Sequence, residues 1–356
     1  MLDTGGAAII DDLPALLRRE LDAGALGLSS GLEYDPGIYS ERAELIALAK
    51  VAAAAGGRYI SHIRSEDRWF WEALEELITI GREARLPVQV SHMKLAMTSL
   101  QGQSARLLAR LDEARTQGID VTADVYPYTY WQSTLQVLFP ARDFEDRAEA
   151  EKVLREIAPP EGLLLGAFAP EPSYAGKTVA EIAQLRHEDP AATLLGLIRE
   201  LIAWGQAHPA AEEVESVVGT SMTEDDVAAL LAWPHANVCS DGQLDGAHPR
   251  GFGAFPRMLA WLVRERGTLS LEAAVAKLSR LAAEHVCLAR RGTLAPGCYA
   301  DLVLFDPATV NDEATVAEPH RVASGIARVW VNGVTVWRDG ACTGEHPGRV
   351  LRRGAR

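Results

Sequence analysis

Cysteine is scarce in this chain of 356 residues, which has only four. Cys239, Cys287, Cys298 and Cys342 lie far apart, and no two of them form a CxxC or another spacing typical of metal ligands. A disulfide framework and a zinc ribbon both need such groupings, so the pattern argues against these two classes of small stapled protein.

Long apolar runs are also absent. No stretch reaches the roughly 18 consecutive apolar residues that a membrane-spanning helix needs. Residues 1–14 lack the basic segment followed by an apolar run that marks a secretory signal. We therefore expect a cytoplasmic protein that has no membrane partner.

Positive charge is in short supply: 35 Lys and Arg face 49 Asp and Glu, which gives a formal net charge of −14. Nucleic acids and anionic membranes bind basic faces, so this balance argues against either partner. Apolar residues make up 48% and charged residues 24%, values typical of a soluble globular protein. Only five of the basic residues are lysines, and one of them, Lys94, belongs to a histidine motif.

Helix and strand patterns alternate between residues 12 and 130. Each unit is an amphipathic stretch followed by a short apolar run that ends in polar residues. Four consecutive units predict parallel strands joined by crossover helices, and a closed (β/α)8 barrel and an open doubly wound sheet both fit this order. The predicted helices are 12–23, 41–55, 67–83 and 103–117, and the predicted strands are 25–28, 56–64, 86–94 and 120–130.

The pattern becomes less regular at 141–235, where proline-rich stretches and two short strand candidates, LLLGAF and SVVGTS, lie among helices. We predict an insertion at about 141–235 within a barrel domain that spans 1–290, because ANVCSDG at 236–242 resembles one further barrel strand. Residues 291–356 are β-rich and predict a small sandwich-like domain. There, Asn332-Gly333 separates two alternating runs, which is a strong hairpin signal.

Two histidine motifs are the most specific feature of the sequence. Ser61-His62-x-Arg64 and Ser91-His92-x-Lys94 each end a predicted strand, and 30 residues separate them. In a parallel barrel the two imidazoles would lie at neighbouring strand ends, on the face that carries TIM-barrel active sites. Neutral histidine is the commonest metal ligand, and two from adjacent strands can bind one ion at roughly 2 Å.

Two aspartates compete for a catalytic role. Asp241 follows an apolar run in CSDG, and Asp124 ends another predicted strand in VTADVYPY. A carboxylate at such a position can bind a metal and carry a proton during hydrolysis. The residues themselves leave both candidates open.

Seven segments of the chain carry a family resemblance: GALGLSSGLEYDPG, YISHIRSE, VQVSHMK, DVYPYTYWQST, SDG followed by HPRGFGAFPR, RGTLAPGCYADLVLFDP, and VWVNG. Together they resemble the D-aminoacylases, which are the N-acyl-D-amino-acid deacylases of the amidohydrolase superfamily. The resemblance covers nearly the whole chain. It implies an α/β fold, namely a (β/α)8 TIM barrel with a small β-rich domain at the C-terminus.

The resemblance also implies a set of site residues. His62 and His92 would be the metal-binding histidines of the fifth and sixth barrel strands, and Asp241 the catalytic aspartate of the eighth strand and a further metal ligand. The α-carboxylate of the substrate would be held by Tyr34, Lys94, Ser133 and Arg250. The implied cofactor is zinc, as one or two divalent ions. The implied partner is a small-molecule substrate, an N-acyl-D-amino acid that is cleaved into a carboxylate and a D-amino acid.

The chemistry of these residue types agrees with the implied reaction. A bound metal polarises the amide carbonyl and lowers the pKa of its water, and Asp241 would take the water's proton and pass it to the leaving amine. Arg250 offers a two-pronged fork for a carboxylate, and Lys94 offers a point charge. We therefore expect a cationic pocket inside an acidic protein.

One part of the family pattern has no match here. Amidohydrolases of this type begin with a β-rich segment and a strand that ends in His-x-His or His-x-Asp, and D-aminoacylases add a metal-binding cysteine on an early strand. The first matching strand, GALGLSS, would be the fourth. We therefore expect a barrel that lacks its first strands, and a small domain that lacks about half of its strands. Open sheet edges favour pairing with another chain, either in a homo-oligomer or with a complementing N-terminal chain.

Two alternatives to deacylation remain open. One is another amidohydrolase reaction, such as hydrolysis of a cyclic amide or a dipeptide. The other is a non-catalytic remnant, because the unmatched first strand is the one that carries metal ligands in the family.

Overall fold

The computed structural model describes residues 6–211 and 214–353, with side chains from residue 13 onward. Within these ranges, no helix has both the length and the apolar character that crossing a membrane requires.

The first part of the chain alternates regularly between helix and strand, which confirms the predicted order. Helix faces repeat at three and four residues, as in the helix after the second strand, where Phe70, Leu74 and Leu77 are buried. The elements are α1 (Gly6–Asp22), β1 (Gly27–Gly31), α2 (Arg42–Ala54), β2 (Arg58–His62), α3 (Phe70–Ala84), β3 (Val88–Val90), α4 (Ser104–Thr116) and β4 (Val121–Val125).

The middle part contains a second, antiparallel sheet in the order β5-β7-β6. The strand candidate LLLGAF is β6 itself, and SVVGTS is displaced by one residue from β7, so both predictions are confirmed. The elements are β5 (Tyr130–Ser133), α5 (Arg147–Glu156), β6 (Leu163–Phe168), α6 (Val179–Arg186), α7 (Pro190–Ala207), β7 (Glu215–Thr220), α8 (Glu224–Ala232) and β8 (Ala236–Val238).

A parallel sheet in the order β1-β2-β3-β4-β8 positions the site. Ser61 of β2 pairs with Ser30 on one side and Val90 on the other, so the strands of the two histidine motifs are direct neighbours. Chain segments that lead away from the carboxyl ends of these strands therefore meet at one edge of the sheet.

The C-terminal part is helical and then β-rich, as predicted. Asn332 and Gly333 have φ angles of 48° and 83° and join two antiparallel strands, so the hairpin prediction is confirmed. The last sheet has the order β12-β11-β10-β9. The elements are α9 (Arg250–Arg257), a π-helix (Met258–Glu265), α10 (Leu271–Leu278), α11 (Arg280–His285), β9 (Leu302–Phe305), β10 (Ile326–Val331), β11 (Val334–Arg338) and β12 (Ala341–Cys342).

Candidate functional site

One cavity at the carboxyl edge of the parallel sheet brings together all seven site residues that the family resemblance implies. Its wall also includes residues from β5 and from the start of α9, so the antiparallel sheet closes the side of the cavity. The seven are Tyr34, His62, His92, Lys94, Ser133, Asp241 and Arg250.

The two histidines face each other across the gap between β2 and β3. His62 Nδ1 lies 3.0 Å from His92 Nε2, and the two ring centroids are 4.7 Å apart. Two nitrogens that share a tetrahedral zinc ion with bonds of 2.0–2.1 Å would be about 3.3 Å apart. The observed pair therefore converges at nearly the separation that one metal ion would set.

The other nitrogen of each ring is held by a carboxylate. His62 Nε2 lies 2.8 Å from Glu33 Oε2, and His92 Nδ1 lies 3.0 Å from Glu66 Oε1. Metal-binding histidines commonly donate their second N–H to a carboxylate, which fixes the tautomer and aims the free nitrogen at the metal. His62 shows this arrangement, whereas Nδ1 of His92 meets both Glu66 and the ammonium group of Lys94, which can only donate. The two rings and their carboxylates still place two nitrogens where a divalent metal could bind.

Lys94 lies beside the second carboxylate. Its Nζ is 2.6 Å from both oxygens of Glu66 and 2.7 Å from His92 Nδ1. Burial would raise the pKa of Glu66, but the charges of Lys94 and the two histidines outweigh it and hold that pKa well below its usual value. For Glu33 the balance is reversed, since burial raises its pKa despite the bond to His62.

Glu66 is also close enough to the histidines to share a metal. Ligand atoms of His62, His92 and Glu66 all lie within 4.8 Å of one another. Because the ammonium group of Lys94 contacts both oxygens of Glu66, this carboxylate is better placed to orient His92 than to bind an ion directly.

Asp241 pairs with Arg250 in the same cavity. Arg250 Nη1 lies 2.7 Å from Asp241 Oδ2, and the Asp241 side chain is 32% exposed. The guanidinium lies over the Tyr126 ring at 4.7 Å. Within the part of the chain that the structure describes, Arg250 Nε is buried and has no hydrogen-bond partner. This arrangement leaves a donor available inside the cavity.

Asp124 takes a different role from Asp241. Its carboxylate accepts the backbone N–H of His92 at 2.6 Å and the side-chain amide of Gln89. His92 has a φ of 36°, in the left-handed region, so this bond holds a turn that the residue does not adopt freely. Asp124 does not line the cavity. It supports the histidine, whereas Asp241 faces the reaction space.

Tyr34 and Ser133 complete the wall between these groups. The Tyr34 ring lies 4.5 Å from the His62 ring, and burial raises the pKa of its phenol, which keeps the hydroxyl protonated as a donor. Ser133 ends β5, and its buried hydroxyl lies next to the Tyr34 phenol, to which it can hydrogen-bond. The two hydroxyls therefore form one polar patch on the cavity wall.

The charge of the cavity differs from the expected cationic pocket. Besides Lys94 and Arg250, the wall carries four carboxylates, which are Glu33, Glu66, Asp67 and Asp241. The cationic prediction was wrong, because each basic group already has an acidic partner at hydrogen-bonding distance. The formal sum of −2 is the charge that one divalent ion balances.

A wider cleft of about 1200 Å³ adjoins the cavity. Tyr34, Gln132, Ser133, Asp241 and Arg250 line both spaces. A molecule bound at the histidines therefore has room to extend beside the antiparallel sheet.

Sequence reasoning missed the two carboxylates that hold the histidines. Glu33 lies in the GLEY segment just after β1, and Glu66 lies four residues after His62. Glu66 follows Arg64 by two residues, so the sequence leaves open whether it pairs with that arginine or orients the site. Arg64 instead pairs with Glu76 at 2.8 Å, which leaves Glu66 to the site.

Comparisons with known proteins give a consistent result. A model of the amidohydrolase family matches residues 2–337. An N-acyl-D-glutamate deacylase of Alcaligenes xylosoxydans xylosoxydans is 37% identical over 345 residues, which are 96% of this chain and 63% of the relative. A D-aminoacylase of the same organism is 34% identical over all of this chain and 68% of its own length.

Solved structures agree with these relatives. A D-aminoacylase crystal structure has a TM-score of 0.84 and 35% identity over 98% of this chain and 67% of its own. A second structure is an N-acyl-D-glutamate deacylase from Bordetella bronchiseptica, complexed with zinc and a phosphonate mimic of the tetrahedral intermediate. It has a TM-score of 0.83 and 35% identity, and the match covers 97% of this chain and 66% of the other. The chain thus spans about two thirds of the length of its relatives. These likenesses confirm the predicted α/β amidohydrolase fold of TIM-barrel type with a C-terminal β domain.

Proposed function

Because the chain belongs to the amidohydrolase family, we propose that it hydrolyses the amide bond of N-acyl-D-amino acids with zinc bound at His62 and His92. One observation carries the proposal. The histidine pair, with a carboxylate behind each ring, shares a cavity with the Asp241–Arg250 pair and with two hydroxyls. Metal-binding, proton-transfer and carboxylate-binding groups thus surround one space.

In this proposal three side chains would hold the metal: the imidazoles of His62 and His92 and the carboxylate of Asp241. When bound, the metal polarises the amide carbonyl and makes its water acidic. Glu33 would keep His62 Nδ1 available for coordination by accepting from the opposite ring nitrogen. Glu66 would do the same for His92 Nε2 if its contact with Nδ1 prevails over that of Lys94 with the same nitrogen.

Asp241 is the group that we assign to proton transfer. Its carboxylate accepts a proton from water as the oxygen adds to the carbonyl carbon. It then returns the proton to the amide nitrogen while the C–N bond breaks, which yields a carboxylate and a D-amino acid. The ion pair with Arg250 holds Asp241 at the cavity wall in the meantime.

The α-carboxylate would bind between Arg250 and the two hydroxyls. Arg250 Nε is buried without a hydrogen-bond partner among the described residues, so a carboxylate would satisfy this donor. Tyr34 lines the same cavity and offers a neutral O–H. Lys94 would contribute its charge from the Glu66 side.

The four cysteines agree with a cytoplasmic location. All four are free thiols in the described chain, and two of them, Cys287 and Cys342, are exposed. Exposed unpaired thiols are typical of proteins from reducing compartments.

Zinc analysis and hydrolysis assays on the full chain test the proposal. We expect zinc-dependent release of D-amino acids from N-acetyl-D-amino acids, lost on treatment with a chelator and restored by zinc. His92→Asn should abolish zinc binding and turnover, whereas His346→Asn, at an exposed loop position, should retain both.

Three results would contradict deacylation. The chain could bind zinc and yet release nothing from N-acyl-D-amino acids, it could hydrolyse cyclic amides or dipeptides instead, or it could bind no zinc at all.

A further inference from the structure

His248 is a buried imidazole next to the site that the proposed reaction does not use. Its Nε2 lies 2.8 Å from the carbonyl oxygen of Tyr130, and its Nδ1 lies 3.0 Å from the backbone nitrogen of Arg250. A carbonyl only accepts and a backbone N–H only donates, so the two contacts require the neutral tautomer that carries its proton on Nε2.

Three tyrosines surround the ring. Tyr130 stacks on it with a centroid distance of 4.6 Å, and Tyr128 meets it edge-on at 5.2 Å. Tyr126, which lies under the Arg250 guanidinium, is 6.0 Å away. Burial, together with the charge of Arg250, lowers the pKa of His248 to about 3. The ring therefore stays neutral at ordinary pH.

The backbone of His248 makes a second hydrogen bond to β5, the strand of Tyr130. Its N–H donates to Oε1 of Gln132 at 2.9 Å, two residues beyond Tyr130 in β5. Ser133 ends that strand, while Arg250 begins α9. His248 thus ties together the two elements that carry Ser133 and Arg250.

We propose that His248 is a positioning residue that holds Arg250 against β5, so that the guanidinium and Ser133 receive the substrate's α-carboxylate together. This inference rests on the proposed carboxylate site. It does not require that the bound molecule be hydrolysed. The imidazole acts only through its two hydrogen bonds and its packing, because it does not line the cavity.

The test compares substitutions at His248 on two ligands. His248→Leu removes both ring hydrogen bonds at similar volume, and His248→Asn restores an acceptor near the Nδ1 position. The ligands are an N-acetyl-D-amino acid and its primary amide, which lacks the carboxylate. His208→Leu is the control, since that exposed imidazole also contacts a backbone carbonyl, at Trp204, but lies at the C-terminal end of α7.

We expect His248→Leu to raise KM for the N-acetyl-D-amino acid about tenfold while kcat changes less than threefold, because a buried charge-assisted contact is misaligned. The amide should bind as it does to the unsubstituted chain. His248→Asn should recover part of the lost affinity for the N-acetyl-D-amino acid. His208→Leu should leave the binding of both ligands unchanged. An equal loss for both ligands, or a fall in kcat at unchanged KM, would overturn the inference.

Dissociation constants of both ligands, measured by calorimetry, decide the test in two further cases: a variant that does not fold, and a chain that binds without hydrolysing. If His248→Leu does not fold, His248→Asn alone must weaken binding of the carboxylate ligand more than binding of the amide, and equal effects would overturn the inference. If the chain binds the ligand without hydrolysing it, the deacylase proposal fails, but a loss of discrimination in the variants still supports the role of His248. Binding of neither ligand overturns both.

Discussion

At the scale of single residues, the contact between His62 and Glu33 has the clearest consequence for metal binding. Glu33 is buried and meets the imidazole nitrogen opposite the one that faces His92. We expect Glu33→Gln to weaken zinc binding by about 10- to 100-fold, because outer carboxylates orient the ring and raise its basicity. Competition with a chromophoric chelator measures this affinity.

A matched exposed carboxylate controls for the loss of charge. Glu145 lies on the surface of the described chain, and Glu145→Gln should leave the zinc Kd unchanged. Equal zinc affinities for Glu33→Gln and the unsubstituted chain would show that Glu33 does not orient His62.

Arg250 and Lys94 are expected to act on the substrate's carboxylate. Arg250→Ala removes charge-assisted hydrogen bonds that are each worth about 1.5–3 kcal/mol, so KM for N-acyl-D-amino acids should rise by about 10- to 100-fold. Lys94→Ala should raise KM in the same direction. It should also alter zinc affinity, because Lys94 contacts His92 and Glu66.

Steady-state kinetics with saturating zinc check both substitutions. Arg199→Ala is the reference, because Arg199 pairs with Glu145 at the surface. Unchanged KM in both variants would remove the carboxylate assignment.

The sequence predicted the functional residues at the ends of strands better than it predicted the carboxylates that hydrogen-bond to them. The histidine pair was predictable because one helix–strand unit separates two equivalent motifs, and parallel register then makes the strands neighbours. Glu33 and Glu66 were not assigned, because their contacts depend on loop geometry and connect positions 29 and 26 residues apart. Apart from the family resemblance, Asp124 and Asp241 could be separated only by where their side chains lie, since Asp241 lines the cavity and Asp124 does not.

At the scale of elements, the antiparallel sheet decides the shape of the site. The sequence predicted a single strand over 120–130, and that prediction was wrong in its second half. The structure ends β4 at Val125 and begins β5 at Tyr130 in a different sheet. Pro127 lies between them, and proline has no N–H to continue a ladder of backbone hydrogen bonds. The chain therefore changes sheets there, which brings Ser133 to the cavity.

Close packing between β5 and β7 gives a prediction for this sheet. Trp131 lines the cavity and donates from Nε1 to Ser221 at 2.9 Å, and its indole lies against the backbone of Gly219. A Cβ at Gly219 would overlap the indole. We expect Gly219→Ala to lower the free energy of unfolding by about 1–3 kcal/mol and to lower kcat/KM, since Trp131 must move.

Urea unfolding and turnover measured on the same preparation test this prediction. Gly205→Ala provides the contrast, because a Cβ there meets no atom within 4 Å and the position is helical. That substitution should leave activity unchanged and stabilise α7 by up to about 1 kcal/mol. Equal stabilities of the two variants would contradict the packing argument.

At the scale of the whole molecule, buried titratable groups make the free energy of unfolding depend on pH. Buried histidines lower it in acid, whereas a buried glutamate lowers it as the pH rises towards neutral. Burial lowers the pKa of His248 to about 3 and that of His285 to about 4. The unfolded chain therefore binds more protons than the folded one below about pH 6.5, so these histidines reduce stability as the solution becomes acidic. Burial raises the pKa of Glu215 to about 7, which has the opposite effect.

Glu215 provides the measurable case. Its Oε1 accepts the backbone N–H of Leu135 at 2.8 Å, while Oε2 is buried without a partner in the described chain. The folded state keeps the carboxyl protonated up to about pH 7, whereas the unfolded state ionises near 4.5. The folded chain thus binds more protons between these values, and stability falls as pH rises through this window.

Glu215→Gln should remove this loss, because an amide cannot ionise and its oxygen can still accept from Leu135. Between pH 4.5 and pH 7.5, we expect the stability of the variant relative to the unsubstituted chain to rise by about 3 kcal/mol, since one pKa unit corresponds to about 1.36 kcal/mol. Urea unfolding at three pH values measures the difference. Glu345→Gln, at an exposed position, should follow the unsubstituted profile. Parallel profiles for Glu215→Gln and the unsubstituted chain would show that Glu215 is ionised in the folded state at neutral pH.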